Sequence, residues 1–136
     1  MSSTIRNILA VVAGLFVGSA VNMGLIMIGP SVIPPPAGLD MTTPEGLKAA
    51  MPLLEARHFI FPFLAHALGT LVGAWLAAKL GGSHQMRLAL GIGVLFMLGG
   101  IAAARMVPAP GWFISVDLIA AYLPMAVLGG RLAGAK

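Results

Sequence analysis

Residues 58–80 read HFIFPFLAHALGTLVGAWLAAKL, and this stretch decides the class of the fold. No Asp, Glu, Lys or Arg occurs between Arg57 and Lys79. At 1.5 Å per helical residue, ~20 apolar residues cross the ~30 Å hydrocarbon layer of a bilayer. Phe59, Phe61 and Phe63 load one end with aromatic bulk and Trp75 lies near the other, where amphipathic rings favour the membrane interface. Ala65, Gly69, Gly73 and Ala77 recur every four residues and share one helix face. Small residues at that spacing let a second helix approach closely, and such packing holds helices together in lipid. His66 sits beside this ladder with Thr70 one turn on. Pro62 deprives the His58 carbonyl of its helical donor, close enough to the helix start to be tolerated.

The rest of the composition agrees. Of 136 residues, 59% are hydrophobic and 9% charged, and the mean hydropathy is +0.99. Soluble domains are nearer a quarter charged, so this chain lacks the polar residues to cover a water-facing surface. The absence of cysteine excludes disulfides, thiolate metal sites and cysteine nucleophiles. A net charge of +4 is no nucleic-acid footprint, because the basic residues are scattered over helix ends.

Three further spans are expected. The first covers about residues 5–28, with Gly14 and Gly18 as a GxxxG step and Asn22 one turn further on the same face. Arg6 and Gly18-Ser19-Ala20 imitate a signal peptide, but the apolar run continues to Ile28, which favours a retained anchor helix. The third covers about 86–107 and is ended by Pro108-Ala109-Pro110-Gly111. The fourth covers about 112–132, with Gly130 continuing a small-residue face from Ala126. Residues 29–57 form the one long connection. Pro34-Pro35-Pro36 cannot be helical. Thr43 and Pro44 then open a short amphipathic helix with Leu47, Met51 and Leu54 on one side, expected to lie at the interface and to be cut short by Pro52.

The sequence thus predicts an all-α fold, a single domain over 1–136 built as a bundle of four antiparallel transmembrane helices with an outer interfacial segment. The basic residues set its orientation. With the N-terminus inside, Arg6, Lys79, Arg87, Arg131 and Lys136 lie inside. Lys48, Arg57 and Arg105 lie outside with Asp40, Glu45 and Glu55, so both termini are expected in the cytoplasm.

Polar side chains inside a membrane are functional candidates by default. Counted from the outer face, Arg105 lies ~5 Å deep, Asp117 ~8 Å, Asn22 ~9 Å, His66 ~12 Å and Tyr122 ~15 Å. All five fall in the outer half and define a candidate polar pocket. Arg105 and Asp117 flank a short turn at similar depth. They are either a charge pair within a substrate pocket or proton path, or a salt bridge that pins the third helix to the fourth. For His66 the alternatives are a proton relay, a general base, a haem or metal ligand, or a neutral ring bonded to Asn22, Tyr122 or a backbone carbonyl. No HxxxH or HExxH spacing accompanies it, so no metal or cofactor is implied. Met23 and Met27 fit packing filler better than soft-metal transport. No GxSxG, phosphate-cradling loop or pair of acids within one helix points to an enzyme, and Glu55, Arg57 and His58 form a polar collar at the outer mouth.

With VNMGLIMIGP followed by IPPPAG, HFIFPFLAHALGTLVGA and DLIAAYLPMAVLGG, nearly the whole chain resembles a family of small uncharacterised bacterial inner-membrane proteins with four predicted transmembrane helices. The resemblance implies a bacterial inner-membrane location and transfers no site residue. Three functions follow as expectations: an oligomeric transport or channel-like protein using the outer-half cluster, an accessory subunit docking to a larger membrane protein through its small-residue faces, or, third, a membrane enzyme or haem carrier.

Overall fold

The computed structural model describes all residues, 1–136, and its regular structure is all helix, with no strand. Six α-helices follow one another: α1 (Ser3–Val32), α2 (Pro44–Ala50), α3 (Ile60–Leu80), α4 (Gln85–Met106), α5 (Gly111–Ala120) and α6 (Leu123–Leu132). Four stretches are long and apolar enough to cross a membrane: α1, Ala56–Leu80, α4 and Gly111–Leu132.

α1 extends beyond the expected 5–28 at both ends. The Ser2 side chain caps it by accepting from the Ile5 N–H at 3.3 Å. At the other end Pro30 lies within the last turn and leaves the Ile26 carbonyl without its helical donor, and the helix ends two residues later. The outer segment forms as the sequence predicts. Thr43 accepts from the Gly46 N–H at 3.1 Å, Pro44 occupies the first turn, and a 3₁₀ turn over Met51–Leu53 containing Pro52 ends it.

The expected fourth helix is not continuous. It breaks at Ala121–Tyr122, where Tyr122 adopts φ −113° and ψ −80°, and restarts as α6. Pro124 is the cause: it has no N–H for the Ala120 carbonyl and its ring crowds that oxygen.

The small-residue ladders meet one another inside the chain. A methyl added at Gly14 would lie 2.5 Å from the Gly73 carbonyl oxygen, and one at Gly18 would lie 2.6 Å from that of Gly69. Gly29 faces Phe61 at one end of the α1–α3 contact, and the Arg6 Nε–H donates to the Leu80 carbonyl at 2.7 Å at the other. Ala65 and Ala77, on the same α3 face, are fully buried. Gly129 is pressed against the backbone of Leu71 and Trp75, and Gly130 against Met86 and Ala89. The core is therefore built of Ala74, Ala77, Ala78, Ala89 and Ala126 around Ile92.

Large apolar side chains point outward instead: Phe16 is 75% exposed, Ile119 73% and Met27 71%. A water-soluble fold would place these groups inside. Small residues within and large ones without is the arrangement of helices that pack by close backbone approach.

The α3–α4 turn is tied down by the start of α1. The Asn7 carbonyl oxygen accepts from the backbone N–H groups of Gly82 (2.8 Å) and Ser83 (3.2 Å), while its amide donates to Ser83 Oγ at 3.0 Å. Nothing in the sequence pattern singled out Asn7. Only the fold brings it to residues 82 and 83.

Candidate functional site

His66 projects from α3 one turn beyond Pro62, beside the buried ladder. Asp117 stands near the end of α5 and is 5% exposed. His66 Nδ1 lies 2.8 Å from Asp117 Oδ1. A carboxylate only accepts, so Nδ1 carries the proton and donates. Tyr122 donates its hydroxyl to Asp117 Oδ2 at 2.9 Å. Both carboxylate oxygens are thereby occupied, and His66 Nε2 is the ring nitrogen without a protein partner.

The helix break creates this geometry. In an unbroken helix Tyr122 would stand roughly 140° around the axis from Asp117. The interruption between α5 and α6 turns it back so that its hydroxyl reaches the carboxylate. Its ring also stacks on that of His66, with centroids 5.8 Å apart. Gly100 on α4 makes room, because a methyl there would lie 2.2 Å from the Tyr122 hydroxyl. Thr70 completes the support by donating to the His66 carbonyl at 2.7 Å.

Of the five sequence candidates, His66, Asp117 and Tyr122 converge. Arg105 does not pair with Asp117. It is exposed, and the ion pairs in the chain are Arg57–Glu55 and His66–Asp117. The reason is helix phase. The α4 face that meets Tyr122 and Ala126 carries Gly93 and Gly100, and Arg105 lies roughly 140° around from Gly100. Asn22 lies against Gly69, with its Oδ1 buried and unpartnered, and does not bond to His66.

His66 and Asp117 form the floor of a cavity of about 320 Å³. Its walls are Phe61 and Pro62 of α3, Gly100 and Ala103 of α4, and Phe113 and Leu118 of α5. Met41, Leu47, Met51 and Leu54 from the outer segment roof it over. The amphipathic side read from the sequence thus lines a cavity. His58 fastens the roof: the Glu55 N–H donates to its Nδ1 at 2.8 Å, leaving Nε2–H to donate to the Pro34 carbonyl at 3.1 Å. Arg57 also lines the cavity on this side, paired with Glu55 at 3.4 Å.

An aspartate that holds Nδ1–H leaves Nε2 able to accept a proton or a hydrogen bond from whatever enters. No nucleophile accompanies it, since Ser115 donates to the Gly111 carbonyl and Thr70 to that of His66. The arrangement suits proton acceptance and binding better than acyl transfer. No family model, curated protein or solved structure matches the chain. The functional reading therefore rests on its own residues.

Proposed function

We propose that this is a transport protein of the bacterial inner membrane, an antiparallel four-span bundle with both termini in the cytoplasm. The outer-half cavity is its binding site and the His66–Asp117 pair its proton-carrying group. The observation that carries the reading is a hydrogen-bonded carboxylate–imidazole pair, its aspartate buried, at the floor of a largely apolar cavity. Ionisable groups at membrane depth are expensive, and transporters use them as proton relays. Below the floor, the α1–α3 glycine contacts and the Asn7 clamp close the inner side, as an outward-facing state requires. The large exposed apolar residues of α1, α4 and α5 supply a lipid-facing surface.

The absence of native cysteine allows a clean test. Single cysteines replacing Ala103 or Leu118 are treated with a membrane-impermeant maleimide in right-side-out and inverted vesicles. Transport requires labelling from both sides, with the balance moved by Asp117→Asn. Labelling from one side only, in both backgrounds, overturns it. The accessory-subunit reading keeps one supporting feature: Gly24, Gly91 and Gly99 have no neighbour within 4 Å of an added methyl and remain open to a partner helix. Native mass spectrometry separates the two, as a homo-oligomer supports transport and co-release with a larger subunit supports docking.

A further inference from the structure

The cavity differs from a solute vestibule in where it opens. On the loop side it is roofed by apolar residues of the outer segment, and that roof is hydrogen-bonded in place through His58. Its side walls, by contrast, include exposed residues on neighbouring helices: Ile26 and Pro30 of α1 and Ala103 of α4. In the membrane orientation proposed above, that seam faces the acyl chains of the outer leaflet. A water-soluble cargo would have to cross the roof, whereas an amphiphile already in the leaflet enters sideways.

The floor sets the head-group chemistry. Asp117 is 5% exposed and bonded on each oxygen by His66 or Tyr122, so an incoming head meets Nε2 of the imidazole, an acceptor. An acceptor at the end of an apolar channel selects a donor, and a hydroxyl donates without bringing charge into the channel. An ammonium would lose its hydration with the one nearby carboxylate, Asp117, only 5% exposed and screened by His66 and Tyr122. A phosphate or carboxylate would need a cation, and the one lining the cavity, Arg57, is already paired with Glu55.

We infer that the cargo is a neutral, hydroxyl-headed membrane amphiphile that enters between α1 and α4 and donates to His66 Nε2. This identification of the cargo rests on the transport reading of the same cavity. The binding test uses purified full-length protein in lipid nanodiscs, with dodecanol, dodecylamine and dodecanoate as probes. Bound amphiphile is counted by native mass spectrometry, and the His66 Nε2 nitrogen resonance is followed. Dodecanol is expected to bind best and to shift Nε2. His66→Phe should weaken it about tenfold, the worth of one hydrogen bond, while His66→Gln, which keeps an acceptor, restores part of the loss. Ala103→Trp, placed at the seam, should slow uptake with the melting temperature unchanged. Tighter binding of dodecylamine or dodecanoate, or equal binding of all three regardless of residue 66, overturns the inference. Dodecanol binding with one-sided cysteine labelling would remove the transport reading alone. Two-sided labelling without dodecanol binding would remove the amphiphile alone.

Discussion

His66 and Asp117 stand 51 positions apart in the chain and 2.8 Å apart in the fold. The contact joins α3 to α5 across the cavity floor. Asp117, His66 and Tyr122 should therefore behave as one unit. Removing the carboxylate by Asp117→Ala leaves the buried Tyr122 hydroxyl and the half-buried His66 ring nitrogen unpaired, with an expected cost of about 1–3 kcal/mol for each. Tyr122→Phe is expected to cost about 1–3 kcal/mol. In a double-mutant cycle, Asp117→Ala with His66→Ala should fall short of the sum by about 0.5–3 kcal/mol, read from detergent unfolding curves. Strict additivity would show that the contact is not made.

Neighbouring glycines on α4 provide an internal control. Gly100→Ala places a methyl against the Tyr122 hydroxyl and should displace it from Asp117, whereas Gly99→Ala meets nothing within 4 Å. The first is expected to lose about 1–3 kcal/mol, the worth of a hydrogen bond to a charged group. The second is expected to be neutral or slightly stabilising, since alanine is the better helix former. Melting temperatures of the two proteins decide the matter.

The α1–α3 contact makes a second steric prediction. Gly14→Ala and Gly73→Ala each direct a methyl at a backbone oxygen, at 2.5 and 2.7 Å, and backbone cannot give way cheaply. Each should destabilise by about 1–3 kcal/mol or more, the usual cost of overpacking. Gly24→Ala, with no neighbour, should leave stability unchanged.

The outer loop contains one acid whose titration the fold alters. Asp40 Oδ1 accepts from the Thr42 hydroxyl at 2.5 Å and from the Thr42 N–H at 2.9 Å, and these bonds hold its carboxyl below the ordinary aspartate range. Its folded-state pKa is depressed, so the contact adds stability above the unfolded-state pKa. That stability is lost as pH falls through the folded-state value. Thr42→Val removes the hydroxyl and should raise the Asp40 midpoint, as followed by carboxyl-carbon NMR.

Much of this was legible in one dimension. The four apolar stretches, the Thr43 cap and the ladder Ala65–Gly69–Gly73–Ala77 follow from composition and periodicity. The ladder's partner did not: spacing shows that a face is small, not what it meets, and Gly14, Gly18 and Gly130 prove to be filled within the chain. His66, Asp117 and Tyr122 stood out because polar groups are rare in such spans. Depth along the axis could be counted, but rotation about it could not, so Arg105 was the expected partner of Asp117 where the fold supplies His66 and Tyr122. Pro124 was visible too. Its consequence, a break that swings Tyr122 back onto Asp117, needed three dimensions.

The most direct measurement is nitrogen NMR of the three histidines in ¹⁵N-labelled protein, with His66 assigned by substitution. The account predicts that the neutral His66 ring carries its proton on Nδ1 and leaves Nε2 bare, and that Asp117→Ala abolishes this fixed tautomer. A His66 ring protonated on Nε2 alone, unchanged by Asp117→Ala, would contradict the carboxylate–imidazole pair and the binding site built on it.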